Sequence, residues 1–239
     1  AICNALTPPT LVKLKAPGET PSDPVTYKWF IAVGSGYNNY KADGSASSTG
    51  AQALFFLSVD KAPGEGWALG TNYFKVVLPV SSTSIVNGLV NPGFITGSYG
   101  EAKLLYAGDL QGNVWKFDLS NGISTSNLSS AVFQAGGVRT PIFVAEYPTG
   151  TRQPITTAPQ VIEANSYGYM VVFGTGKFIE PSDTATAAQQ SIYGIWDSLE
   201  STASAFTVPR SALFPRTATL SGNSVTLGGT STFVFGKSV

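Results

Sequence analysis

The chain has 239 residues, only 12% of them charged, and its 14 basic and 14 acidic residues give a formal net charge of zero. Without a basic run, nucleic-acid binding has no electrostatic support. The chain has no histidine, which excludes every histidine-dependent catalytic or zinc site within it. The single cysteine, Cys3, cannot form an internal disulfide or a cysteine metal cluster.

The first 27 residues are rich in proline and show no clear periodicity, so residues 1–27 are predicted to form an irregular lead-in. The chain begins with alanine and has no signal-peptide pattern, which favours a processed chain or a fragment of a longer protein. No stretch approaches the roughly 20 continuous apolar residues of a membrane helix. We therefore expect residues 1–239 to form a single domain, or part of one, with no membrane span.

From Tyr27 onwards, apolar strands alternate with polar turns, and one strand-turn-strand unit recurs three times. In each copy an apolar strand ends near glycine, and a second apolar, aromatic strand ends near aspartate. The copies are Trp29–Gly36 with Leu54–Asp60, Leu104–Asp109 with Val114–Asp118, and Met170–Gly176 with Ile192–Asp197. Repetition of such a unit is the sequence signature of a propeller or a solenoid.

Polar segments and weaker strands separate these copies. Exposed loops are predicted at 41–50, 120–130 and 181–190, and the only segment compatible with a short helix is 182–190. Each loop could contact a partner, but an ordinary solvated loop explains the same composition. Further strands are predicted at 74–79, 131–134, 142–145, 160–162, 224–227 and 232–235.

The repeats need one another, because a single small sheet cannot bury both of its faces. We therefore predict an all-β fold, a β-propeller whose blades stack with Trp29, Trp115 and Trp196 between them. The repeated glycines would let the inner turns approach closely. Propeller blades take roughly 40–50 residues each, so this chain supplies about five and incomplete blades are expected.

Asp109 and Asp118 are the carboxylates best placed for chemistry. Asp109 could ligate a cation or a quinone-type cofactor, or it could accept hydrogen bonds from turn amides. Asp60 and Asp197 repeat the strand-end position of Asp118, which favours a structural role for all three. We interpret Asp109 structurally as well. The sequence therefore predicts no catalytic, cofactor-binding or metal-binding residue, and it leaves the partner-binding residues unassigned.

Three other short motifs are weak. Lys177 follows Gly174-Thr-Gly176, but the spacing and following helix of a phosphate-binding loop are absent. Asn127-Leu-Ser129 fits a glycosylation sequon. Asp43-Gly44 lacks the alternating Asp/Asn pattern of a calcium loop.

The segment Tyr106–Leu119, YAGDLQGNVWKFDL, resembles the signature of the PilC/PilY family of type IV pilus biogenesis and tip-adhesin proteins. Similar segments follow the family's order at 31–38, 157–161, 172–178 and 190–197. The resemblance implies a modified β-propeller of quinoprotein type, forming the C-terminal domain of a much larger protein. The N-terminal region of that protein often carries a von Willebrand A-like domain.

Many members of this family place an aspartate-rich calcium loop just before the Tyr-Ala-Gly-Asp strand. Here the matching stretch, 94–103, holds one carboxylate, Glu101, and Lys103 stands about where the last aspartate ligand would lie. Calcium takes six to eight oxygen ligands, several of them usually carboxylates. Calcium binding is therefore not carried over to 94–103, and no cofactor is predicted.

The resemblance implies a non-catalytic scaffold that supports pilus assembly, counters retraction and mediates adhesion in twitching motility. Its expected partners are minor pilins of the tip complex and a host or abiotic surface. Its expected location is extracellular, at the pilus tip or outer-membrane surface, reached through the periplasm. Two alternatives stay open: a pyrroloquinoline-quinone-type dehydrogenase domain, and a carbohydrate-binding or outer-membrane-assembly propeller.

Overall fold

The computed structural model describes residues 8–16, 26–37, 52–82, 84–164, 167–185, 188–199 and 207–228. Fifteen strands, one α-helix and two short 3-10 helices occur in these ranges. The strands are β1 Thr10–Lys15, β2 Tyr27–Gly34, β3 Ala53–Ser58, β4 Tyr73–Val77, β5 Gly93–Thr96, β6 Ala102–Gly108, β7 Asn113–Asp118, β8 Gln134–Ala135, β9 Val138–Arg139, β10 Phe143–Val144, β11 Gln160–Glu163, β12 Tyr169–Gly174, β13 Ile192–Asp197, β14 Thr217–Ser221 and β15 Ser224–Gly228. The helices are α1 Thr125–Ala131 and the 3-10 turns Pro181–Ala185 and Arg210–Ala212.

Three antiparallel sheets carry the fold, in the strand orders β1-β2-β3-β4, β10-β7-β6-β5 and β11-β12-β13. We call them blades one, two and three. Each predicted repeat supplies two adjacent strands of one blade, paired as β2 with β3, β6 with β7, and β12 with β13. The repeat prediction is therefore confirmed. Two hairpins, β8-β9 and β14-β15, complete the described strands.

Because successive side chains of a strand point to opposite faces of the sheet, one set of side chains lies between neighbouring blades. Phe30 and Ala32 of β2 join Leu105 and Trp115 of blade two in one buried cluster. The opposite side of blade two contributes Tyr106 and other residues to a second cluster, shared with blade three. Blade two is thus covered on both faces, which confirms the predicted stacking. The members of the second cluster are Leu104, Tyr106, Val114, Ile142, Phe143, Ala145, Ile155, Val171, Phe173, Tyr193, Ile195 and Val208.

The three tryptophans that were predicted to lie between blades do not share one environment. Trp115 is 2% exposed and lies between blades one and two, as predicted. Trp29 is 48% exposed, so its predicted place between blades is wrong. Because Phe30 faces the inter-blade core, its neighbour Trp29 points to the outer face of blade one. Trp196 is partly exposed, and its indole N–H donates to the Tyr167 carbonyl over 2.8 Å.

Backbone hydrogen bonds join the glycine-rich strand ends of successive blades. The Gly36 amide donates to Leu89 over 3.1 Å, and the Val90 amide donates to Gly108 over 3.0 Å. The approach is so close that a Cβ atom on Gly34 would lie 2.2 Å from the Leu89 carbonyl oxygen. The predicted role of these glycines in close approach is confirmed at this position.

Several element predictions were wrong. The irregular lead-in contains a strand, β1, because antiparallel pairing with β2 orders Thr10–Lys15 despite the flanking prolines. The loop predicted at 120–130 contains most of α1, and α1 ends at Ala131, so the strand predicted from that residue begins only at Gln134. The helix considered for 182–190 is a 3-10 turn at Pro181–Ala185. Predictions for Cys3, 41–50 and 232–235 fall outside the described residues.

Within the described ranges, no helix combines the length and the apolar character needed to cross a membrane.

Candidate functional site

Asp109 sits at the end of β6, where the turn into β7 begins, and is fully buried. Its Oδ1 atom accepts the backbone amides of Gln111 and Asn113, each over 2.9 Å. Its Oδ2 atom accepts hydrogen bonds from the Trp115 indole N–H over 2.9 Å and from the side-chain amide of Asn113 over 2.8 Å. Gln52 of blade one donates to the same oxygen at 2.7 Å, so Asp109 ties blades one and two together.

These donors occupy the carboxylate of Asp109 completely. Two carboxylate oxygens offer about four lone-pair sites, and five donors already approach them. Burial raises the pKa of Asp109, although the bonds from Trp115, Asn113 and Gln52 oppose that shift. Neither oxygen is left to coordinate a cation or a cofactor. The geometry therefore favours the structural interpretation of Asp109.

The other three strand-end aspartates occupy unlike environments. Asp118 is exposed and accepts the Ser120 amide at 2.9 Å, and Asp60 is exposed as well. Asp197 is only 2% exposed. Sequence position alone therefore does not reveal that Asp197 differs from the other two.

Asp197 forms the polar contact between blades two and three. Its Oδ2 atom accepts the Tyr106 hydroxyl at 2.6 Å and lies 2.5 Å from the Lys116 ammonium nitrogen. Its Oδ1 atom accepts the Leu199 amide at 2.9 Å. Burial, followed by the charge of Asp197, raises the pKa of Tyr106 far above its ordinary range, so this hydroxyl remains a donor.

The 94–103 stretch forms the β5–β6 hairpin, with a bulge between Ile95 and Thr96. Glu101 is 8% exposed and accepts the Tyr99 amide at 2.9 Å. The Lys103 ammonium nitrogen lies 3.6 Å from the other carboxylate oxygen of Glu101. The single carboxylate of this hairpin is thus engaged by an amide and a cation, an arrangement unlike an oxygen-lined calcium loop.

Lys177 lies beside acidic side chains. Its ammonium nitrogen is 2.7 Å from Glu180 and 3.2 Å from Asp183. A cavity of about 170 Å³ opens here, lined in part by Arg152 and Gln153. Because two carboxylates already neutralise Lys177, the lysine is not set up to bind phosphate.

Asn127 lies in α1, and its side-chain amide donates to the Asn121 carbonyl over 2.7 Å. Among the residues that the structure describes, no three His, Cys, Asp or Glu side chains cluster as metal ligands would.

Sequence reasoning missed Gln52, Tyr106 and Lys116 as partners of the buried aspartates. Gln52 lies outside the repeat motif, and only the packing of two blades brings it to Asp109. Tyr106 and Lys116 lie inside the motif. Each alternates with core residues along its strand, and this pattern is the sequence feature that could have identified them. The contacts of Asp109 join blades one and two, and those of Asp197 join blades two and three.

Comparison with known proteins agrees with this architecture. A family model for the PilY1 beta-propeller domain matches residues 22–233. The type IV pilus biogenesis factor PilY1 of Pseudomonas aeruginosa strain UCBPP-PA14 is 34% identical over 218 residues, which cover 82% of this chain and 17% of that protein. A PilY1 homolog from Xylella fastidiosa strain Temecula1 is 39% identical over 113 residues, covering 47% of this chain and 8% of the homolog.

The fold has a solved counterpart in the crystal structure of the Pseudomonas aeruginosa PilY1 C-terminal domain. It superimposes with a TM-score of 0.60 at 28% sequence identity, covering 92% of this chain and 44% of that one. The predicted family resemblance and the predicted all-β propeller fold are both confirmed, whereas the quinoprotein subtype stays a prediction. The chain spans less than a fifth of the Pseudomonas relative, at 17% of its length. By the extent of the family match, this chain belongs to the PilY1 β-propeller domain family.

Proposed function

We propose that this domain is a non-catalytic scaffold within a type IV pilus biogenesis factor. The observation that carries the proposal is the 34% identity, over 82% of the chain, to a protein named for that role. Further support comes from the buried acids. Asp109 and Asp197 are both engaged in contacts between blades, which suits a rigid element better than a reactive one.

The scaffold supports assembly of the pilus, counters its retraction and contributes to surface attachment. Its partners are minor pilins of the tip complex and a host or abiotic surface. Its place of action is the pilus tip or the outer-membrane surface, reached through the periplasm. The stacked blades resist deformation because a shift of one blade would break both apolar packing and buried hydrogen bonds with the next.

No metal or cofactor enters this mechanism. The saturated carboxylate of Asp109 and the amide- and lysine-bound carboxylate of Glu101 support a calcium-independent scaffold. We therefore expect pilus assembly to persist in the presence of a calcium chelator.

The test is immunogold labelling of intact piliated cells with antibody to this domain, combined with deletion of its coding segment. We expect label at fibre tips and loss of surface pili on deletion. The same deletion in a strain whose retraction motor is disabled separates two roles. Pili that return in that strain show that the domain counters retraction, and pili that stay absent show that it is needed for assembly.

Asp118→Asn is the matched control for complementation, because this exposed carboxylate joins no blades. It should restore pili fully, whereas Asp109→Asn should restore fewer. Label confined to the periplasm together with normal surface pili after deletion would contradict the proposal.

A further inference from the structure

An aromatic and cationic cluster lies where the β5–β6 hairpin meets the edge formed by β1 and β2. The Lys13 ammonium group donates to the Tyr99 carbonyl over 2.5 Å and lies 5.2 Å from the centre of the Tyr27 ring. The Tyr27 and Tyr99 ring centres are 6.0 Å apart, at an interplanar angle of 34°. We call Lys13, Tyr27, Tyr99 and Lys103 the tyrosine–lysine cluster. It spans two blades.

The hairpin holds Tyr99 in place while leaving its side chain in solvent. The Gly97 amide donates to the Glu101 carbonyl over 2.7 Å, and the Gly100 amide donates to Gly97 over 3.0 Å. Gly100 has a φ of +73°, a backbone conformation that favours glycine. Tyr99 is nevertheless 70% exposed. Because these contacts hold the backbone of the hairpin, little backbone entropy is lost when a ligand packs on the Tyr99 ring.

Among the residues that the structure describes, positive charge exceeds negative charge around these rings. Lys103 is 45% exposed at its side chain, and Lys15 is the cross-strand neighbour of Tyr27. Glu101 is the carboxylate near them in the described structure, and the Tyr99 amide and Lys103 already engage it. Among the described residues, three lysines, Lys13, Lys15 and Lys103, thus lie near one carboxylate, and Lys13 is the lysine that contacts a tyrosine ring.

We propose that the tyrosine–lysine cluster binds an acidic saccharide, a sugar polymer bearing carboxylate or sulfate groups. Sugar rings present apolar C–H faces that pack on aromatic rings, while tyrosine hydroxyls hydrogen-bond to sugar hydroxyls. The lysines pair with the anionic substituents. This inference refines the attachment part of the proposed function, because it names the ligand class and the surface that takes it.

Nucleic acid is the less favoured polyanion. The cluster contains no arginine, the whole chain is neutral, and duplex recognition needs several phosphate contacts at once. A small number of lysines beside one exposed and one partly buried tyrosine fits the sparser charge of a polysaccharide better.

The experiment measures binding of the purified 239-residue chain to immobilised hyaluronan and heparin by biolayer interferometry. Neutral dextran, polyglutamate and single-stranded DNA serve as comparison surfaces. Wild-type protein should bind both acidic saccharides and ignore dextran. Tyr99→Ala should weaken this binding roughly fivefold to tenfold, as expected for loss of one stacking contact, and Lys103→Ala should weaken it in the same direction.

The matched controls are Tyr167→Ala and Lys75→Ala, which remove an exposed tyrosine and an exposed lysine elsewhere. Both should bind like the wild type, and thermal unfolding of every variant separates lost binding from lost fold. The proposal is overturned if the saccharides do not bind, if Tyr167→Ala matches Tyr99→Ala, or if polyglutamate or DNA binds more tightly. Pilus counts in a Tyr99→Ala strain keep this test separate, because normal piliation with lost saccharide binding leaves the assembly role intact.

Discussion

Asp109 shows how much one buried side chain contributes to stability when hydrogen-bond donors occupy every lone pair of its carboxylate. Asp109→Asn replaces one oxygen with an NH₂ group that faces donors from Gln52, Asn113 and Trp115, or from the turn amides. We expect the free energy of unfolding to fall by about 2–4 kcal/mol, since more than one buried donor loses its acceptor. Urea denaturation followed by tryptophan fluorescence measures this loss. A variant as stable as wild type would contradict the assigned role, and Asp118→Asn should change stability little.

Asp183 provides a residue-scale prediction about pH. Burial alone would raise the pKa of Asp183, but the amides of Ile179 and Glu180 and the Lys177 ammonium outweigh it and lower that pKa. A lowered pKa in the folded state means that the ionised group stabilises the fold above its unfolded pKa. That contribution is lost as pH falls through the folded pKa.

Acid titration of stability tests this prediction for Asp183. We expect Asp183→Asn to be less stable than wild type near neutral pH and to converge with it in strong acid. The urea midpoints of both proteins, measured across that pH range, give the comparison. A constant difference at every pH would show that the carboxylate charge of Asp183 does not matter.

Among the secondary-structure elements, α1 depends on a side-chain N-cap that was not predicted from its sequence. The Ser124 hydroxyl accepts the Asn127 amide over 3.0 Å, and Leu128 anchors the helix in the core between blades one and two. Ser124→Ala should lower the free energy of unfolding by about 0.5–2 kcal/mol, the usual cost of a lost N-cap. Ser129→Ala, at an exposed position within the same helix, is the control and should be neutral or slightly stabilising. Equal effects of the two changes would argue against the cap.

The elements that could be predicted from sequence are those whose pattern is local. β6 and β7 flank a Gly-Asp turn and carry mainly apolar or aromatic residues, so both strands can be recognised from the sequence. β1 and α1 could not be predicted in this way. β1 is ordered by its pairing with β2, and α1 is a short, serine-rich helix. The same limit applies to Trp29, whose outward direction depends on which face of its blade meets a neighbour.

At the scale of the whole molecule, the buried contact from Tyr106 to Asp197 should couple blade two to blade three. Tyr106→Phe keeps the ring in its cluster and removes only the hydroxyl that donates to Asp197 over 2.6 Å. We expect a loss of about 1.5–3 kcal/mol, the usual range for a hydrogen bond to a charged group. Tyr167→Phe, on an exposed ring, is the control and should cost almost nothing.

For the proposed scaffold, the region that Tyr106→Phe destabilises is more informative than the amount of stability that is lost. If Tyr106 couples the blades, amide hydrogen exchange in Tyr106→Phe should accelerate in β12 and β13 more than in β2 and β3, because only the former lie across the broken contact. In a double-mutant cycle, Tyr106→Phe and Asp197→Ala should be clearly non-additive, since each removes one partner of the same hydrogen bond. Uniform acceleration in all blades with additive energies would mean that apolar packing alone holds blades two and three together. The proposed rigidity under pilus tension would then rest on that packing, without the buried polar contact.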